Sequence, residues 1–196
     1  MFNGFFSKGK SVSDHNNLDG FLRFFQLQDK LTYSGDLYQD FISQLGGRQF
    51  GNGVFSSFSA NNAEEWRQLV FEAFPETKGS FKLFGYNWMG NCFGIDTRPG
   101  KNEQILLFEI GTGDLLILSP SLSKFLNEEI PQRHTAALAS EYFKEWVKHT
   151  KSAPSYGNCV GYIVPPFLGG EYAFDNLEIS DMEVYWSILG QIRTQI

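Results

Sequence analysis

The chain is short of the residues that usually announce chemistry. Its 196 residues include 2 Cys, 3 His, 3 Met and 7 Pro, and only 19% of them are charged. Cys92 and Cys159 lie far apart, with no Cys-x-x-Cys spacing. They read as reduced thiols rather than a disulfide framework. No HExxH, no Cys/His pairing and no calcium-loop pattern occurs, so neither a metal nor a cofactor is expected. No run of 18 apolar residues is present, which excludes a transmembrane helix. The opening MFNGFFSKGKSVSDHNN turns polar after Phe6, too early for a signal peptide, and a cytoplasmic protein is expected. Basic residues are also scarce. With 16 Lys and Arg against 22 Asp and Glu, the net charge of -6 excludes non-specific nucleic-acid binding, which needs the opposite excess.

What is present is a large apolar inventory. Hydrophobic residues make up 42% of the chain and 20 residues are Phe, enough for a folded core without disulfide or metal staples. Residues 1–17 read as a loose lead-in, or one whose Phe2, Phe5 and Phe6 dock on the body. A short helix is predicted over 18–25, and a second from Asp36 to Leu45, stopped by Gly46-Gly47. RQFGNGVFSSFS predicts a strand or hairpin around its Gly-Asn-Gly turn. A helix capped by Asn61-Asn62 runs to Phe74, ended by Pro75, with Trp66, Leu69, Val70 and Phe74 as its buried stripe. SFKLFGYNWMG, NCFGIDTR, QILLFEIG and DLLILS predict successive strands, and IGTGD is a hairpin turn rather than a phosphate loop. Ser121 or Ser123 caps a short helix through Ile130, ended by Pro131. A longer helix covers 135–149. After the loop at 151–158, CVGYIVPPFLGG is an extended segment, EYAFDNLEIS a loop, and Ser180 with Glu183 a capping box for a last helix. Helices, then strands, then helices give an α+β fold: a central antiparallel sheet with helices at its faces and ends.

Catalytic signals are weak. His15, His134 and His149 have no plausible nucleophile beside them in sequence, and both cysteines suit a core better than a nucleophile. Asp96 and Glu109 fall on neighbouring predicted strands, so a cleft lined by Tyr86, Trp88, Asp96 and Glu109 is the candidate small-molecule site. The alternative reading is that these carboxylates are only an edge residue and a turn anchor. No catalytic residue is assigned. The stronger feature is electrostatic. From residue 171 onward there are five carboxylates, Glu171, Asp175, Glu178, Asp181 and Glu183, against the single Arg193. Asp181 and Glu183 suit a helix N-terminus. Glu171, Tyr172, Asp175 and Glu178 are the candidate contacts for a basic protein partner, with aromatic and apolar residues interleaved.

The wording of several segments carries further. FGYNWMGNCFGID, ILLFEIGTGDLL, FLNEEI, YFKEW and CVGYIVPPFLGG followed by DNLEISDMEVYWSILGQ occur in this order. Together they resemble the C-terminal domain of the type VI secretion DNase-immunity family. LYQDFISQLGGRQFGNGVFSSF resembles the end of the GAD-like region that often precedes it there. The resemblance covers residues 37–196. It divides the chain into a lead-in with a short helix (1–36), a shortened GAD-like region (37–79) and an immunity-type domain (80–196), the last two expected to form one compact unit. It implies a cytosolic, non-catalytic protein that binds and neutralises a cognate toxin, a basic nuclease. The alternative is a regulatory, scaffolding or small-molecule-binding protein of the same fold.

Overall fold

The computed structural model describes residues 16–101 and 103–195. Phe2, Phe5, Phe6 and His15 therefore lie outside the described residues. The fold is α+β, built on a 6-stranded antiparallel sheet whose spatial order follows the chain. The strands are β1 (Gln49–Phe50), β2 (Phe55–Ser57), β3 (Phe81–Asn87), β4 (Cys92–Asp96), β5 (Ile105–Glu109) and β6 (Asp114–Ser119). Helices cover both faces, which is why the inner strands read as continuous apolar runs rather than alternating ones.

Alternation still sorts the side chains into two cores. Phe84, Trp88, Phe93, Ile95 and Leu107 face the first core. Leu83, Tyr86, Cys92, Leu106 and Phe108 face the second. The first lies under α1 (Asp19–Phe24), α2 (Leu37–Leu45), α5 (Ile130–Leu138) and α6 (Ser140–Thr150), through Phe21, Phe41, Leu138 and Trp146 among others. The second lies under α3 (Ala63–Ala73) and α7 (Met182–Arg193), through Val70 and Trp186. Glycine permits one tight docking. A side chain at Gly20 would collide with the backbone of Asn127, whose Oδ1 instead accepts from the Gly20 N–H at 2.8 Å.

A second, 2-stranded sheet pairs β7 (Asn158–Tyr162) with β8 (Leu177–Asp181). One backbone bond ties β7 to the turn between β3 and β4, and two side-chain bonds tie α7 to that turn and to β7. Val160 N–H donates to the Trp88 carbonyl at 2.8 Å. The Trp186 indole donates to the Gly90 carbonyl at 2.7 Å. Tyr162 N–H donates to the Tyr185 hydroxyl at 3.1 Å.

Five expectations need correction. Asn62 holds the N-cap position of α3, but its side chain turns back to accept from Ser59. Pro131 does not end a helix. α4 (Leu122–Lys124) widens into a π-helical turn, Phe125–Glu129, that runs straight into α5, and Pro131 is the second residue of α5. The helix predicted over 135–149 is two helices, because Ala139 adopts left-handed φ/ψ of 51° and 37° between α5 and α6. The end of EYAFDNLEIS is a strand, β8, not a loop. Ser180 is consumed by that strand, so Asp181 caps α7 instead, accepting from Val184 N–H at 3.0 Å. No helix among the described residues is long and apolar enough to cross a membrane.

Candidate partner-binding surface

The acidic segment is held in a fixed shape by one amide. Asn176 Oδ1 accepts from Val164 N–H, and its Nδ2 donates to the carbonyls of Val164 and Glu171, all at 2.8 Å. The PPFLGG stretch folds back through Gly170 N–H and Leu168 N–H, both donating to the Pro165 carbonyl. Phe174 points inward and stacks on Tyr142 at 4.9 Å and on His149 at 5.5 Å. Leu177 is buried in the first core. The interleaved apolar residues thus divide into inward anchors, Phe174 and Leu177, and one outward ring, Tyr172, which is 72% exposed and meets Tyr162 edge-to-face at 6.0 Å.

The carboxylates point outward. Glu171, Asp175 and Glu178 are exposed, and among the described residues none of them forms an ion pair. Exposed aliphatic side chains accompany them: Ile163, Val164 and Leu168 before the acidic loop, Ile179 on β8, and Val184 and Ile188 on α7. Isolated exposed aliphatics are ordinary, but several along one segment with unpaired charge make a surface able to receive a complementary protein.

The candidate cleft is not assembled. Tyr86 and Trp88 belong to opposite cores. The Tyr86 hydroxyl accepts from Gly157 N–H at 3.0 Å, and burial pushes it up to about 12. Asp96 and Glu109 sit at opposite ends of the β4–β5 pair, since Ile95 faces Ile105 while Cys92 faces Phe108. That places them on the order of 17 Å apart along the strands, too far for paired carboxylate chemistry. Each is otherwise engaged. Burial raises the Asp96 carboxyl, but the forked hydrogen bonds from Arg98 outweigh it and hold Asp96 below its ordinary value. Glu109 is raised, first by burial and then by Asp114, its cross-strand partner.

The structure does join one pair that the chain order obscures. His134 Nδ1 and Ser140 Oγ are hydrogen-bonded at 2.6 Å across the break at Ala139. Both line a groove of about 620 Å³ between α1 and α6, walled by Phe24, Phe25 and Phe143, with Lys148 at its side. No local signal in the sequence joins them, because the break at Ala139 that brings them together falls inside the stretch read as helix. Both cysteines are buried, and burial pushes both thiols up, Cys159 to about 12, which withholds the thiolate that nucleophilic attack requires. Among the described residues no group of three or more His, Cys, Asp or Glu is placed to hold a metal ion.

Comparison with known families completes the description. Residues 122–193 match the family described as T6SS immunity protein Tdi1, C-terminal. Residues 36–128 match the SMI1 / KNR4 family (SUKH-1). The chain resembles the type VI secretion immunity family. The Tdi1-like part contains α4 to α7, β7, β8 and the whole acidic surface; the SMI1-like part contains the large sheet. The SMI1-like match runs through the segment read as GAD-like and on into the strands after it. Among solved structures, Atu4351 from Agrobacterium tumefaciens aligns with a TM-score of 0.61 at 16% identity, covering 89% of each chain, which establishes a shared fold. No curated protein matches the chain.

Proposed function

We propose that this chain is a non-catalytic cytosolic immunity protein. It binds a cognate bacterial toxin, a basic nuclease effector of a type VI or other contact-dependent secretion system, and silences it by occluding or deforming its active site. The observation that carries the reading is the coincidence of the Tdi1-like match with a strongly acidic, outward-facing segment. A toxin-immunity role is supported by both family matches. On this reading Glu171, Tyr172, Asp175 and Glu178 meet the toxin, with the carboxylates steering a basic partner and Tyr172 as the anchor. The 37–79 and 80–196 segments act as one unit, because the first core draws on Phe41 and Phe55 as well as Trp88 and Trp146.

The test is capture with tagged protein from the source bacterium, with nuclease activity assayed before and after the complex is denatured. One stoichiometric toxin, silent in the complex and active once freed, is the expected result. Capture of a toxin that remains active in the complex overturns the mechanism. No captured toxin under toxin-expressing conditions overturns the role. The groove holding His134 and Ser140 favours a second reading, a small-molecule-binding protein of the same fold. A thermal-shift screen separates the two, since a ligand that stabilises wild type but not Phe143→Ala would support the groove.

A further inference from the structure

β8 is an open edge. Val160 N–H is spent on the Trp88 carbonyl, away from β8, so the Val160–Ile179 pair is of the non-hydrogen-bonded kind. The N–H and C=O of Ile179 therefore point away from β7, and so does the N–H of Asp181. Among the described residues none of these three groups has a backbone partner. Side chains along this edge alternate. Glu178 and Ser180 lie on one face, and Ile179, 40% exposed, lies on the other beside Leu177 and Asp181.

Resting on the immunity reading, we propose that the toxin supplies an extended segment of alternating basic and apolar residues that adds to β8 as a third strand. Its backbone bonds Ile179, its basic side chains meet Glu178, and its apolar side chains pack on Ile179. Charge selects this occupant over a second copy of the chain. Pairing β8 with itself would bring Glu178 and Asp181 of two copies onto one short ladder, and like charges along an edge oppose pairing. The β6 edge of the large sheet lacks this selectivity, since it exposes Leu116 and Ile117 and has Asp114 as its one charged residue.

The probe is an N-acetylated, C-amidated heptapeptide of alternating lysine and valine, titrated into the full-length protein and followed by backbone amide NMR and hydrogen exchange. The Ile179 amide is expected to exchange fast in the free protein and to become protected on peptide addition. Glu178→Lys weakens binding about fivefold. N-methylation of the peptide's valines abolishes it while leaving the protein untouched. The proposal is overturned if Ile179 is already protected without peptide, if the peptide does not bind, if the N-methylated peptide binds equally well, or if the amides of β6 respond instead. None of these outcomes depends on a toxin, so the strand-addition mode can fail while immunity stands. Failure to capture a toxin removes the immunity reading whatever the peptide does.

Discussion

β5 and β8 are both five residues long, and they make opposite use of that length. β5, Ile-Leu-Leu-Phe-Glu, is flanked by β4 and β6 and covered on both faces, so four consecutive side chains are buried. β8, Leu-Glu-Ile-Ser-Asp, has one neighbour and buries only Leu177. A strand enclosed on all sides contributes to stability with every side chain. A strand enclosed on one side is free to carry charge and to offer its backbone. Substitutions in and around the large sheet should therefore register in folding, and substitutions along the acidic segment in association.

The largest effect is expected where α7 meets the large sheet. Trp186 is fully buried against Phe74 and donates its indole N–H to Gly90. Trp186→Ala leaves a cavity in the second core and the Gly90 carbonyl with only the weak Cys92 thiol as donor, and should cost about 3–5 kcal/mol in urea denaturation. A loss under about 1 kcal/mol would mean that α7 is peripheral to the fold, and the division into core and surface would fail.

Asp96 comes next. Its carboxylate is buried and forked by Arg98, which is about a third exposed. Asp96→Ala should cost about 1.5–3 kcal/mol at neutral pH. The Asp96 pKa is lowered in the folded state. Its stabilisation is therefore present above the unfolded carboxyl value and is lost as pH falls through the folded one. The gap between wild type and variant should close in acid. A gap that persists in acid would assign the loss to packing rather than to the ion pair.

The acidic segment should behave in the opposite way. Reversing Glu171, Asp175 and Glu178 to Lys removes no ion pair among the described residues, so stability should change by no more than about 0.5 kcal/mol per site. Association with a captured toxin should slow roughly tenfold at low salt and less at high salt. Unchanged association rates across the salt range would show that the toxin binds elsewhere.

How much of this was legible in the sequence follows from the same contrast. The inner strands were legible because enclosure on both faces demands unbroken apolar runs between glycine turns, as in ILLFEIG. β8 was not, because an edge strand exposed along most of its length has no such demand, and Glu178, Ser180 and Asp181 read as loop composition. The capping residue of α7 slipped by one for the same reason. Ser180 and Asp181 are equally good caps, and only the pairing of β8 with β7 decides between them. The break at Ala139 leaves no local mark, since alanine favours helix; it is held by tertiary packing and the His134–Ser140 bond. The separation of Asp96 from Glu109 was within reach. In a hairpin Asp96 adjoins the connecting turn and Glu109 lies at the far end, so adjacency of strands never implied adjacency of these carboxylates.

The smallest expected effect tests the far end of β5, where the enclosed strand meets the surface. Glu109 is half-buried, faces Asp114 across the β5–β6 pair, and accepts from Asn91 Nδ2 at 3.3 Å. Burial first, and the Asp114 charge second, raise its pKa. A carboxyl raised on folding binds its proton more tightly in the native state, so stability falls as pH rises from the unfolded carboxyl value through the folded one. At neutral pH the charged form is a liability. Glu109→Gln keeps the shape and removes the charge, and should raise stability by about 0.5 kcal/mol at pH 7, an advantage that vanishes below the ordinary glutamate range. Asp114→Asn should give a smaller gain in the same direction, because it relieves only the second cause. If Glu109→Gln destabilises at pH 7 instead, the carboxylate is held by a favourable contact, and this end of β5 belongs with the charged surface rather than with the core.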